Sequence, residues 1–203
     1  VRTRCPHCAM LTAQCVCALV APIDNRTPVR VLQDPRESTH ALNTARWVAL
    51  GLRHAEIVTR ATFTPTDWTI AGRQSLLLYP AEADGATGPP VTSPLTLIVL
   101  DGTWKQAAGM LRRHPALLAL PRFGLAPKDV SAYRLRKSPR TDGLSTVEAV
   151  AAALDLLDAP QRHAAMLRPF HAQVDAQIRT QLVAMGETAF RHNYPHIDIE
   201  NMV

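Results

Sequence analysis

Five stretches of the chain carry the polar and apolar spacing of strands, and segments of helical period separate them. Pro28 to Gln33, PVRVLQ, alternates as a first strand does, and Ala55 to Thr59 is a second. Ser75 to Tyr79, SLLLY, is a short apolar run closed by Pro80, while Leu95 to Leu100 is apolar apart from one Thr. Runs of this kind read as strands buried on both faces. Ser131 to Lys137, SAYRLRK, alternates again and puts its two arginines on one side. Between these lie the helices. Asn43-Thr44 cap a segment with Ala45, Trp47, Val48, Leu50 and Leu52, closed by Arg53 and His54. Thr103 caps a segment in which Trp104, Ala107, Ala108 and Leu111 share a face, ended by His114-Pro115. Ser145 and Glu148 form a capping box ahead of an apolar run. In the last long element, Pro160 to Met185, the residues Phe170, Val174, Ile178 and Leu182 form a core-facing stripe that is assigned no chemistry.

The connections are turn-rich. Asp34 to Glu37 reads as a turn, Phe63 to Gln74 as a loop or short helix in which Trp68 packs, and Ala81 to Pro94 as a surface loop. Pro121 to Lys128 is irregular, Ser138 to Gly143 is a loop, and the tail from Arg191 carries no informative pattern. The whole is an α/β pattern without internal repeats.

The stretch Leu95 to Ala108, LTLIVLDGTWKQAA, is the first candidate site. Its apolar run stops at Asp101 and Gly102, so a carboxylate, a flexible turn and the Trp104 indole follow a buried strand. In open α/β sheets ligands collect at that end. Local pattern also allows a plainer account, in which Asp101 and Thr103 cap the helix and Trp104 is core. The helix start at Ser145 and Thr146 attracts anions, although a capping box needs no ligand.

Composition narrows the class. The 203 residues, 47% hydrophobic and 19% charged, suit one sizeable core and exclude a disordered chain. No apolar run approaches the ~20 residues of a membrane span. A secretory leader pattern is not evident, which makes the cytoplasm the expected compartment. The net charge of +5 favours an anionic partner such as nucleic acid. Between Lys105 and Arg140 the bases Lys105, Arg112, Arg113, Arg122, Lys128, Arg134, Arg136, Lys137 and Arg140 face one acid, Asp129. A solvated basic face is the simpler alternative. Arg112, Arg113, Arg134, Lys137 and Arg140 are the candidates for RNA phosphate contacts. The oligomeric state is not legible, and a monomer is the working expectation.

All four cysteines lie near the N-terminus: Cys5, Cys8, Cys15 and Cys17, spaced C-x2-C-x6-C-x-C. Four thiolates so close suit a tetrahedral structural zinc, and disulfides fit poorly with a cytosolic chain. His7 is the substitute ligand should the short Cys15 to Cys17 loop chelate badly. A closed four-ligand site holds no catalytic water, so residues 1–22 read as a structural knuckle, in a position to touch RNA, ahead of a main body over 23–203.

The D-x-T-W at Asp101 to Trp104 resembles the signature of the DTW-domain family of tRNA-uridine aminocarboxypropyltransferases. The cysteine cluster, Leu78-Tyr79-Pro80 and RKSPRTDGLSTVEA from Arg136 to Ala149 follow the family's order over most of the chain. That resemblance implies a SPOUT-like knotted sheet flanked by helices, a catalytic domain over 23–203, and a tRNA substrate. It places S-adenosylmethionine against Leu78, Tyr79 and Pro80, the turn Leu100, Asp101, Gly102, Thr103 and Trp104, and the loop with Ser138, Pro139, Leu144, Ser145 and Thr146. Asp101, Thr103 and Trp104 are the implied catalytic set. Asp101 either assists loss of the uridine N3 proton or orients the cofactor amine, and Trp104 packs on adenine, on the sulfonium, or into the core. One position departs from the pattern: Asp34 stands where a His often precedes the Pro, which puts an anion near the site. The competing readings are a SPOUT-type RNA methyltransferase, a related rRNA aminocarboxypropyltransferase, and a non-catalytic zinc-containing RNA-binding protein. The four-cysteine knuckle favours tRNA over rRNA.

Overall fold

Apolar runs buried on both faces demand a covered parallel sheet, and the computed structural model has one. It describes residues 3–40, 43–80, 94–126, 131–135 and 143–200. After the cysteine segment, which holds two 3-10 turns, the chain runs through β1 (Val29–Gln33), α1 (Pro35–Ser38), α2 (Ala45–Gly51), β2 (Ala55–Thr59) and β3 (Gln74–Leu78). It continues with β4 (Leu95–Asp101), α3 (Trp104–Arg113), α4 (Pro115–Leu118) and β5 (Arg122–Phe123). The last elements are α5 (Thr146–Leu157), α6 (Arg168–Met185) and α7 (Glu187–Asn193). All pairings are parallel, in the order β2-β1-β4-β3-β5.

Strand alternation divides the sheet into two covered faces. Val29, Val31, Leu76, Leu97 and Val99 join the larger core with α2, α5 and α6. Leu32, Leu77 and Ile98 point the other way and meet Phe63, Trp68, Met110, Leu111 and Leu117. Trp68 is therefore packing, as expected. Cys5, Cys8 and Met10 join the larger core, so the knuckle packs on the body of the molecule. So do Phe190, Ile197 and Ile199, which anchor a tail whose sequence was uninformative.

Three expectations change. The turn expected over Asp34 to Glu37 is instead the one-turn helix α1, Pro35–Ser38, capped by Asp34 through Arg36 N–H at 3.0 Å. The irregular segment from Pro121 contains the edge strand β5. The strand expected over Ser131 to Lys137 is absent from its described part, residues 131–135, which bend instead. Period-two burial survives there, with Tyr133 and Leu135 buried and Tyr133 edge-on to Phe170 at 5.6 Å. The backbone, however, gives its Ala132 N–H to Glu148 at 2.7 Å and its Arg134 N–H to Ala132 O at 2.9 Å, leaving no ladder to form. Leu182 is only half-buried at the end of the α6 stripe. Among the described residues no helix is long and apolar enough to cross a membrane.

Candidate active site

The register of the sheet aligns Thr59, Gln33 and Asp101 at the carboxyl ends of three neighbouring strands. Thr59 donates its hydroxyl to Gln33 Oε1 at 2.9 Å, which turns the amide so that Nε2 donates to Asp101 Oδ2 at 3.0 Å. Asn43 Nδ2 donates to the same oxygen at 2.8 Å, while Asn43 Oδ1 accepts Arg46 N–H at 3.2 Å and caps α2. The expected Thr44 side-chain cap does not form. On the other oxygen, Oδ1, Asp101 accepts the Thr146 hydroxyl at 2.6 Å. A buried carboxylate thus joins β1, the entry to α2, and the first residue of α5 through three neutral donors. Asp101 is 3% exposed. With its proton committed to Asp101, the Thr146 oxygen can only accept from anything else that approaches.

In front of this hub lies a cavity of about 1250 Å³ at the carboxyl ends of β3 and β4. Leu78, Tyr79 and Pro80 form one wall; Leu100, Gly102, Thr103 and Trp104 form the next; Leu144, Ser145 and Thr146 form a third. All these predicted site residues come together, whereas Asp101 sits behind the wall and does not line the cavity. Ser138 and Pro139 lie outside the described residues. Trp104 is half-buried and lines the cavity, with Tyr79 edge-on at 6.1 Å and Arg122 in turn 5.7 Å from the Tyr79 ring. Thr103 spends its oxygen on capping α3, accepting Gln106 N–H at 3.2 Å, while Gln106 accepts the Thr103 N–H in return. A Cβ on Gly102 would stand 3.0 Å from Gln106 Cβ, so the folded-back capping side chain excludes anything larger than glycine without a shift.

Glu148 closes the α5 end. It accepts the Ser145 N–H at 2.8 Å, the Ser145 hydroxyl at 2.6 Å and the Ser131 hydroxyl at 2.6 Å, besides the Ala132 N–H. This residue, known from sequence only as a cap, therefore also clasps the segment that forms another cavity wall. Glu148→Gln removes one acceptor oxygen from four donors. It should cost about 2–3 kcal/mol, a fall in Tm of roughly 5–10 °C for a chain of this size. A thermal melt within 1 °C of the parent would contradict the clasp.

Sequence reasoning missed one further wall. Ser131 to Arg134 line it with His171, Val174 and Asp175 of α6 and with His196 of the tail. His171 and Asp175 sit one residue after the core positions Phe170 and Val174. The i, i+4 polar pair beside an apolar stripe was the available signal. Of the candidate phosphate-binding residues, Arg134 lines the cavity, already paired to Asp175 at 2.7 Å. Arg112 and Arg113 are exposed in the last turn of α3, away from the cavity-lining first turn. Lys137 and Arg140 lie outside the described residues. Asp34 is not a free anion: Arg36 binds both its oxygens, at 2.9 and 2.8 Å, and holds its carboxyl at about 2.

The four cysteine sulfurs all lie within 4.8 Å of one another, with Cys5 to Cys17 at 3.7 Å and Cys8 to Cys15 at 3.8 Å. Sulfurs at ~2.3 Å from a tetrahedral zinc would be about 3.8 Å apart, so the cluster fits a metal ion. The thiols are free, and His7 is not among the clustered residues. Backbone N–H groups of Cys8 and His7 lower the Cys5 thiol to about 6, while burial pushes Cys8 and Cys17 up.

Comparison with known proteins identifies the family. The DTW domain model matches residues 2–178. A protein of Drosophila melanogaster named tRNA-uridine aminocarboxypropyltransferase 2 is 30% identical over 195 residues, covering 87% of this chain and 76% of the relative. Proteins of the same name from Mus musculus and Macaca fascicularis are 30% and 27% identical over 88% of this chain, which spans 64% of each. No solved structure matches significantly. With a family match over most of its length, and the D-x-T-W turn in the wall of its main cavity, the chain belongs to the DTW-domain family.

Proposed function

We propose that this protein transfers the 3-amino-3-carboxypropyl group of S-adenosylmethionine to N3 of a uridine in tRNA, leaving methylthioadenosine. The observation that carries the reading is the single cavity in which the Gly102 to Trp104 turn meets the start of α5. Its donors and acceptors suit the cofactor. The α5 N-terminus offers N–H groups and a positive dipole end to a carboxylate. Thr146, able only to accept, suits the ammonium or a ribose hydroxyl. Trp104 and Tyr79 supply faces for adenine or for the sulfonium. The sulfonium makes each of its three carbon substituents electrophilic, so the walls must present the aminocarboxypropyl carbon and turn the methyl away. In this reading Asp101 is the positioning anion behind the wall, and Thr103 sets the turn that carries Trp104.

Structural zinc on Cys5, Cys8, Cys15 and Cys17 belongs to the same proposal, as does a reducing, cytosolic setting that keeps the thiols free. So does a SPOUT-like knotted threading. Its support is that the chain leaves β5 at a sheet edge and returns as α5 beside Asp101 near the centre. For tRNA the support is the exposed bases Lys105, Arg112 and Arg113, and binding should therefore weaken steeply with salt.

The deciding experiment incubates the protein with unmodified tRNA and S-adenosylmethionine and follows nucleosides by mass spectrometry. The expected result is uridine heavier by one aminocarboxypropyl group, with methylthioadenosine released. Methylated nucleoside with S-adenosylhomocysteine would make it a methyltransferase, and modification of an rRNA fragment but not of tRNA would move the substrate.

A further inference from the structure

We propose that the cavity wall formed by Ser131 to Arg134 and α6 is the uridine subsite and that His171 takes the N3 proton. This rests on the aminocarboxypropyl transfer proposed above. A cavity of about 1250 Å³ exceeds the ~300–1,000 Å³ common for one small ligand, so a nucleotide has room beside the cofactor. A base acted on by such an enzyme is extruded into the pocket. The lining has two characters: the D-x-T-W turn and the α5 N-terminus supply one part, and His171, Asp175, Arg134 and His196 supply another.

Transfer to N3 needs a group that can accept its proton. Asp101 is buried behind the wall with three donors already on it. Asp175 is held by Arg134 at 2.7 Å. His196 donates its Nε2–H to the Arg134 carbonyl at 2.9 Å, which fixes its ring and tautomer and leaves Nδ1 alone to accept. His171 is exposed and lines the cavity; its ring packs against Phe170 at 5.5 Å, and among the described residues nothing hydrogen-bonds to its nitrogens. Imidazole is the side chain best suited to accepting a proton at neutral pH. The step balances: the N3 proton goes to His171, the N3 electron pair forms the bond to the aminocarboxypropyl carbon, and the carbon–sulfur pair stays on sulfur as neutral methylthioadenosine. His171 then returns its proton to solvent.

His171→Ala should reduce kcat by about 10²-fold or more, leave S-adenosylmethionine affinity within twofold of the parent by calorimetry, and recover part of the rate with added imidazole. His171→Gln, which keeps bulk and polarity, should be equally slow without recovery. A parent-like kcat in both variants overturns the role of His171 while the parent enzyme's own turnover keeps the transfer reading. An inactive parent overturns both.

Discussion

Asp101→Asn should lower turnover by about 10²-fold and raise the KM for S-adenosylmethionine, because the change acts on the wall and not on the reacting atoms. One carboxylate oxygen accepts from Gln33 and Asn43 and the other from Thr146. An amide has one acceptor oxygen, so its NH2 must face either the two amide donors or the Thr146 hydroxyl. In the first case buried donors oppose each other, at about 1–3 kcal/mol of stability. In the second the Thr146 hydroxyl must reverse, and the lone pairs it presents to the cavity are replaced by a proton. Thr146→Val should reproduce much of the affinity loss and Thr146→Ser should restore it. A direct proton-accepting role for Asp101 predicts something different, with turnover lost and cofactor affinity retained. Turnover equal to the parent's would overturn both roles.

Cys8→Ser should abolish stoichiometric metal binding and lower the Tm by roughly 10 °C. That figure takes about 4 kcal/mol for a lost structural metal and about 2–4 °C per kcal/mol for a chain of this length. The reason is the knuckle's burial: Cys5, Cys8 and Met10 are part of the larger core, and Gln14 bonds Thr180 of α6 at 2.8 Å. A second consequence reaches the cavity. Arg46 donates to the Cys8 carbonyl and, at 3.0 Å, to the carbonyl of Asn43, whose amide holds Asp101. Loosening the knuckle should therefore weaken S-adenosylmethionine binding at temperatures where the fold is intact. Metal analysis, a thermal melt and calorimetry on the folded variant check the three parts, and parent-like affinity in a metal-free protein would break the proposed link.

Much of the candidate site was legible because its residues are contiguous. Leu78 to Pro80, Leu100 to Trp104 and Leu144 to Thr146 each span one strand or helix end; local pattern brought forward the turn at Asp101 and the cap at Ser145, the family resemblance brought forward the others, and the structure gathers them round one cavity with Asp101 behind its wall. The side chains that make Asp101 a hub were not legible. Gln33 and Asn43 look like strand-end and turn residues, and only parallel register at β1 and β4 sets Gln33 against Asp101. Likewise the α6 stripe read correctly as core, yet that reading hid the polar positions beside it, His171 and Asp175.

By itself the sequence determined whatever depends on neighbours a few residues away. Strand and helix periods, the Thr103 and Ser145 caps, the four-cysteine spacing and the D-x-T-W turn are all local, and local hydrogen bonds or chelation reward them directly. Tertiary structure decided the rest. The alternating segment 131–135 is bent because the buried Glu148 carboxylate, not a neighbouring strand, takes its Ala132 N–H. Asp101 faces inward because its side of β4 is the side on which α5 packs, where Thr146 meets it. Trp104 lines the cavity because β3 and β4 run parallel and end side by side, which sets the Trp104 indole edge-on to Tyr79 across the cavity wall. Each of these outcomes turns on partners 16 or more residues away, which no local pattern encodes.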